Sequence, residues 1–163
     1  MKKMIMMMSA ALLLALTACT NEPGIKTATG EYSYRLSGSA RIYDSETDDA
    51  VHVTLTPETG TVTVIKSKEE ANKGIAQVFA DDGSTYEMPL VFSHDTVHVD
   101  PLYRDIVVKI NGKDELFHVV ISGEGVVLDK ALSIHLGYSG RCRDTSKALN
   151  LTAGDVHMNC KKL

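Results

Sequence analysis

Tryptophan is absent from this chain, and its 163 residues hold only three cysteines and four prolines. No apolar run is long enough to cross a bilayer as a helix, which takes about 20 residues. A basic excess is missing as well. Lys and Arg number 17 against 21 Asp and Glu, a net charge of −4, and that balance lacks the basic stripe expected of a nucleic-acid partner. There is no C-x-x-C pair, no G-x-S-x-G at a strand-to-helix turn, and no internal repeat of solenoid or propeller length. These absences exclude a spanning helix, a nucleophile elbow and a repeat architecture. They leave a mildly acidic chain whose information lies in its first twenty residues and in its alternation.

Lys2 and Lys3 make a positive start, Met4 to Leu16 an apolar stretch, and Leu16-Thr17-Ala18-Cys19 a lipobox. That order is the layout of a bacterial lipoprotein signal. The expectation is removal of residues 1–18 and acylation of Cys19 with a palmitate-type lipid. Thr20, where an Asp in many Gram-negative bacteria retains lipoproteins at the inner membrane, points to the outer membrane, facing either periplasm or exterior. The mature chain from Cys19 to Leu163 is 145 residues, enough for one domain. Loss of Lys2 and Lys3 leaves 15 basic residues against 21 acidic, and five of the seven methionines go with the signal.

With Cys19 assigned to lipid, Cys142 and Cys160 remain. Two thiols in an exported protein are expected to form a disulfide, whose loop of this length would contribute roughly 3 kcal/mol. A metal pair or two free thiols is the alternative.

Residues 19–30 (CTNEPGIKTATG) read as the lipidated cysteine and a flexible tether that does not pack. Residues 31–163 read as a single β domain with an irregular tail. From Glu31 to Tyr43 the apolar residues Tyr32, Tyr34, Leu36, Ala40 and Ile42 alternate with polar ones, the mark of a half-buried strand, with Gly38 a candidate bulge. Val51–Leu55 and Thr61–Ile65 flank Pro57-Glu58-Thr59-Gly60 as a hairpin. Gly74–Ala80 and Ser84–Phe92 flank Asp81-Asp82-Gly83, and Ile106–Ile110 and Leu116–Ile121 flank Asn111-Gly112, the strongest hairpin signal. Asp100-Pro101 is expected to stop the strand carrying Val97 and Val99, and Ser122-Gly123-Glu124-Gly125 to form a turn or bulge. Ser67-Lys68-Glu69-Glu70 has a capping-box pattern, with a decorated connection preferred to a helix. From Gly140 onward alternation is lost. The whole predicts an all-β fold, an antiparallel up-and-down meander of about 8–10 strands forming a barrel or a sandwich.

Candidate chemistry is sparse. His94, Thr96 and His98 share a strand face with Asp100, but residues four apart on a strand are about 13 Å apart, too far for one ion. His118 and His135 sit on neighbouring candidate strands, while His52 and His157 are isolated in sequence. Asp44, Glu46, Asp48 and Asp49 cluster hard oxygens without the glycine and closing glutamate of a calcium loop. Asp48-Asp49 and Asp81-Asp82 are turn residues rather than the paired carboxylates of a glycosidase. Neither a catalytic residue nor a metal site nor a cofactor is therefore expected. The aromatics Tyr32, Tyr34 and Phe92, with Tyr86 and Tyr138, either line a cavity or fill the core.

The MKK start, the LTAC lipobox and the all-β domain resemble the small lipoproteins of Bacteroidetes, many of which carry lipocalin-like or calycin-like barrels. The segments GEYSYRLSGSARI and ISGEGVVLDKALSIHLGYSG carry the likeness, the second being similar to the glycine-interrupted closing hairpin of calycin-like domains. The chain departs from calycins in having no tryptophan near the first strand. The resemblance implies a barrel and ligand binding, with no catalytic residues. The expectation is a non-enzymatic binding module for a small apolar ligand, held by Tyr32, Tyr34 and Phe92, or for a surface partner in the envelope. The alternative is a structural or accessory envelope lipoprotein with a solid core.

Overall fold

The alternation of Glu31–Tyr43 becomes strand β1 (Gly30–Asp44), with Tyr32, Tyr34, Leu36, Ala40 and Ile42 buried on one face. The computed structural model describes residues 23–163, so the signal segment and the acylation of Cys19 lie outside the described residues. A short helix, α1 (Pro23–Ala28), precedes β1. After it come β2 (Ala50–Thr54), β3 (Glu58–Lys66), β4 (Lys73–Ala80) and β5 (Thr85–Ser93). The chain finishes with β6 (Thr96–Ile110), β7 (Lys113–Leu128), β8 (Ala131–Cys142) and β9 (Leu149–Lys162).

From β3 to β9 each strand pairs antiparallel with the next, and β9 returns to β1 along its length, from Tyr32↔Lys162 to Asp44↔Leu149. The sheet has closed on itself. β3 pairs with Gly30–Leu36 of β1 and β2 with Ser39–Tyr43, so β2 and β3 are successive halves of one interrupted stave. The fold is thus a closed eight-stranded antiparallel β-barrel, an all-β meander as its alternation predicts. At this strand number the interior is wide enough to hold one small ligand or for side chains to fill. Val62, Val78, Leu90, Val119, Ile134 and Met158 are among those that do so, each almost fully buried.

Several local expectations are corrected. Pro57-Glu58-Thr59-Gly60 is a kink, because β2 and β3 run in the same direction against β1, and Leu55 N donates to Gly38 O across the gap. Asp100-Pro101 does not stop β6; the strand absorbs it with a register shift between Val99 and Leu102. Ser122–Gly125 stays inside β7, where Gly123 and Gly125 face strand β8 too closely for a Cβ, which would sit 2.3 Å from a carbonyl oxygen. The segment after Gly140 contributes β9 and closes the barrel. Asn111-Gly112 does form the β6–β7 turn, with both residues at positive φ. Ser67 forms no helix; its Oγ accepts from the backbone of Glu69 and Glu70 in a turn.

Two further corrections matter more. Cys142 and Cys160 are both free. Cys160 lies opposite Leu132, ten residues along β8 from Cys142, which at about 3.3 Å per residue puts them roughly 30 Å apart. A disulfide needs Cα atoms within about 7 Å. The second concerns residues 23–28, which pack instead of trailing: Ile25 and Ala28 are fully buried. The Tyr32 hydroxyl donates to Ala28 O at 2.7 Å, and Lys162 Nζ donates to Thr27 O at 3.0 Å. Gly24 lies so close to His94 that an added Cβ would fall 1.8 Å from its carbonyl oxygen. Helix α1 thereby plugs the barrel end that carries the β5–β6 and β7–β8 turns.

Candidate functional site at the open barrel mouth

The opposite end is built differently. Pairing of β5 with β6 ceases at Leu90↔Val99. The next pair in register would set Asp100 against Pro89, with Pro101 following, and neither proline has an N–H to give. Beyond Pro101 β6 is paired only with β7, so the wall opens between Ser84 and Arg104. A cavity of about 720 Å³ occupies the mouth, walled by Leu36, Leu55, Ile106 and Tyr138 and floored by Glu58 and Arg104. Asp81, Asp82, Lys109 and Asp114 reach its rim.

Glu58 enters the barrel because β3 directs residues 58, 62 and 64 inward, and Arg104 because it shares a face of β6 with Leu102, Ile106 and Val108. Arg104 Nη2 donates to Glu58 Oε2 at 2.8 Å, with both side chains about one-sixth exposed. Tyr34 and Tyr86 each donate a hydroxyl to Glu58 Oε1 at 2.8 Å. The guanidinium also lies over the Tyr86 ring, 3.7 Å from its centroid, and Nη2 reaches Ser84 Oγ at 3.4 Å. The carboxylate thus accepts from two phenols and a cation. Of the five N–H groups of Arg104, those not on Nη2 remain for the cavity.

Burial pushes the phenols of Tyr34, Tyr86 and Tyr138 well above the usual range. The hydrogen bond to Glu58 adds to this for Tyr34, and its negative charge for Tyr86, while Arg104 pulls the other way. Burial works against the charge of Arg104, but its bond to Glu58 and the field of Tyr86 outweigh it and keep its pKa raised. The cluster therefore presents neutral hydroxyls and a permanent cation, groups suited to holding a polar ligand atom.

The structure divides the expected ligand residues. Tyr34 belongs to the cluster, joined by Tyr86 and Tyr138. Tyr32 and Phe92 are fully buried near the plugged end, Tyr32 bonded to α1 and Phe92 beside Gly74, which Ile25 also approaches. Glu58 was legible only as a turn residue, and Arg104 carried one signal, a lone cation on the inward face Leu102–Ile110. His118 and His135, on the neighbouring strands β7 and β8, do not face each other: His118 stands opposite Arg141 and His135 opposite Glu124. His118 instead holds Asp105 at 2.7 Å, and Arg143 and then His118 keep that carboxyl below its usual range. His94 is in the β5–β6 turn while His98 lies 3.7 Å from Asp100. In the Asp44–Asp49 turn the Asp44 carboxylate accepts from the backbone of Glu46 and Thr47, and Asp48 from Tyr43.

Compared with known proteins, the chain matches no family model, no curated protein and no solved structure. What the fold and the mouth define is an eight-stranded antiparallel barrel, plugged at one end, with a cation and phenols at the base of an open cavity.

Proposed function

We propose that this chain is a lipid-anchored envelope lipoprotein that binds a small ligand in the barrel mouth and carries out no reaction on it. The cavity of about 720 Å³ over Arg104 is the observation that carries the reading. Its size falls in the range of small-molecule sites, and its mixture of apolar wall and a few convergent polar groups is the composition such sites have. The ligand chemistry that fits is a compact apolar body with one polar acceptor end directed at Arg104. The anchor would be Cys19, acylated after removal of residues 1–18, and the compartment the outer membrane. The barrel below the cluster is filled, and that observation favours a second reading, an accessory envelope protein that uses the barrel only as a rigid body.

Native mass spectrometry of the protein purified from its own host separates the two. A reproducible bound small molecule, lost in Arg104→Gln with the fold retained, supports the binding module. A ligand-free wild-type protein that also fails to take up an apolar fluorescent probe in the mouth supports the accessory reading. Replacement Cys19→Ala should move the protein from the membrane fraction to the soluble one; persistence on the membrane would overturn the anchor.

A further inference from the structure

The outer wall of the barrel carries a row of metal-ligating side chains that has nothing to do with the mouth. Register sets His98 on β6 opposite Glu124 on β7, Glu124 opposite His135 on β8, and His135 opposite His157 on β9. Opposed residues on adjacent strands have Cβ atoms about 5 Å apart, within reach of one ion. His135 and His157 are stacked with ring centroids 4.7 Å apart, and Asp155, two residues before His157, places Oδ1 2.9 Å from His157 Nε2. The donor atoms of His135, Asp155 and His157 all lie within 4.8 Å of one another.

We propose that His135, His157 and Asp155 form a binding site for a divalent transition-metal ion, zinc or copper by preference. Two imidazoles and a carboxylate are the donor set those ions favour, whereas calcium and magnesium want oxygen alone. The 2.9 Å between His157 and Asp155 is close to the separation of two donors sharing a tetrahedral ion. Near-parallel rings must turn for both lone pairs to converge, and these are exposed side chains with room to do so.

The backbone supports the arrangement. Between Leu136 and Tyr138 the β8–β9 register shifts, and the bulge that results includes Gly154, whose carbonyl lies 2.7 Å from His135 Nε2. Only a protonated Nε2 can bond there, so Nδ1 carries the free lone pair. Metal-binding imidazoles are held in one tautomer by such a bond on the other nitrogen. Three protein donors leave open positions on the ion, with Glu124 the adjacent carboxylate on the same row.

The test uses the full chain, prepared without a histidine tag and titrated with Zn²⁺ by calorimetry and with Co²⁺ by absorbance. Expected are one tight equivalent, cobalt bands of nitrogen and oxygen ligation, and no thiolate charge-transfer band. His157→Ala and His135→Asn should each weaken Zn²⁺ binding at least tenfold, with the circular dichroism of the barrel unchanged. His118→Ala should leave the titration as in the wild type. Zn²⁺ affinity within twofold of wild type in the His135→Asn, His157→Ala double variant would overturn the proposal, as would a cobalt spectrum dominated by thiolate.

Discussion

Glu58 and Arg104 form an ion pair inside the barrel with both side chains about one-sixth exposed, and each is there because the other is. Removing one partner leaves a charge in a partly desolvated place, which costs far more than removing both. Arg104→Met should therefore destabilise the protein by about 2–4 kcal/mol, read from urea denaturation. Adding Glu58→Leu to it should recover most of that loss, so the double-variant cycle shows strong coupling. Arg104→Lys should recover little, because an ammonium cannot lie flat on Tyr86. The phenols make a second expectation. Tyr32, Tyr34, Tyr86 and Tyr138 have folded pKa values above the value near 10 of an unfolded tyrosine. Groups shifted this way add stability that is complete below pH 10 and is lost as pH rises above it, up to about 1.4 kcal/mol per unit for each. Absorbance at alkaline pH should show these phenols ionising in one cooperative step with loss of the barrel's circular dichroism. Their ionisation in a barrel that stays folded would overturn that account.

Helix α1 shows what sequence pattern conceals. At six residues it has too little length to be stable alone, and its stability comes from Ile25 and Ala28 sealing the barrel. Ile25→Ala should lower stability by about 2–4 kcal/mol, measured by urea denaturation, where a residue in a loose tether would cost nothing. Periodicity did reveal β1, because its inward positions 32, 34, 36, 40 and 42 are all apolar, and Asn111-Gly112 marked its turn by needing two positive φ angles. It failed where parity slips or an inward position has no side chain. In β9 the inward residues are Leu151 and Ala153, then Val156, Met158 and Cys160, so the bulge at Gly154 and Asp155 reverses odd and even and the strand reads as irregular. In β7 the inward positions 123 and 125 are glycine, which erases the alternation and imitates a turn. The mouth cluster was hidden for another reason. Glu58 and Arg104 meet only through closure of the barrel, and nothing local to either residue names the other.

Across the whole molecule the plug and the mouth lie at opposite ends, and the proposed lipid enters at the plugged one. Cys19 precedes Pro23 by four residues, which can span at most about 14 Å. An acylated Cys19 would hold α1 and the neighbouring β7–β8 turn near the bilayer. The far end of the barrel is then set by strand length. β7 has 16 residues, and at about 3.3 Å each with a tilt near 40° its two ends differ in height by roughly 40 Å. The mouth would open away from the membrane, toward the aqueous phase from which a ligand arrives. A spin label can test this with both ends of one strand as its rulers. In the acylated protein on vesicles, a label at Asp129→Cys should be broadened by a headgroup-bound nickel chelate, while a label at Lys113→Cys should be reached mainly by a soluble relaxant. Both positions are exposed, so neither substitution should disturb the core. Equal broadening at the two sites would mean that the barrel lies on its side, and the reading of the mouth as an outward-facing port would fail with it.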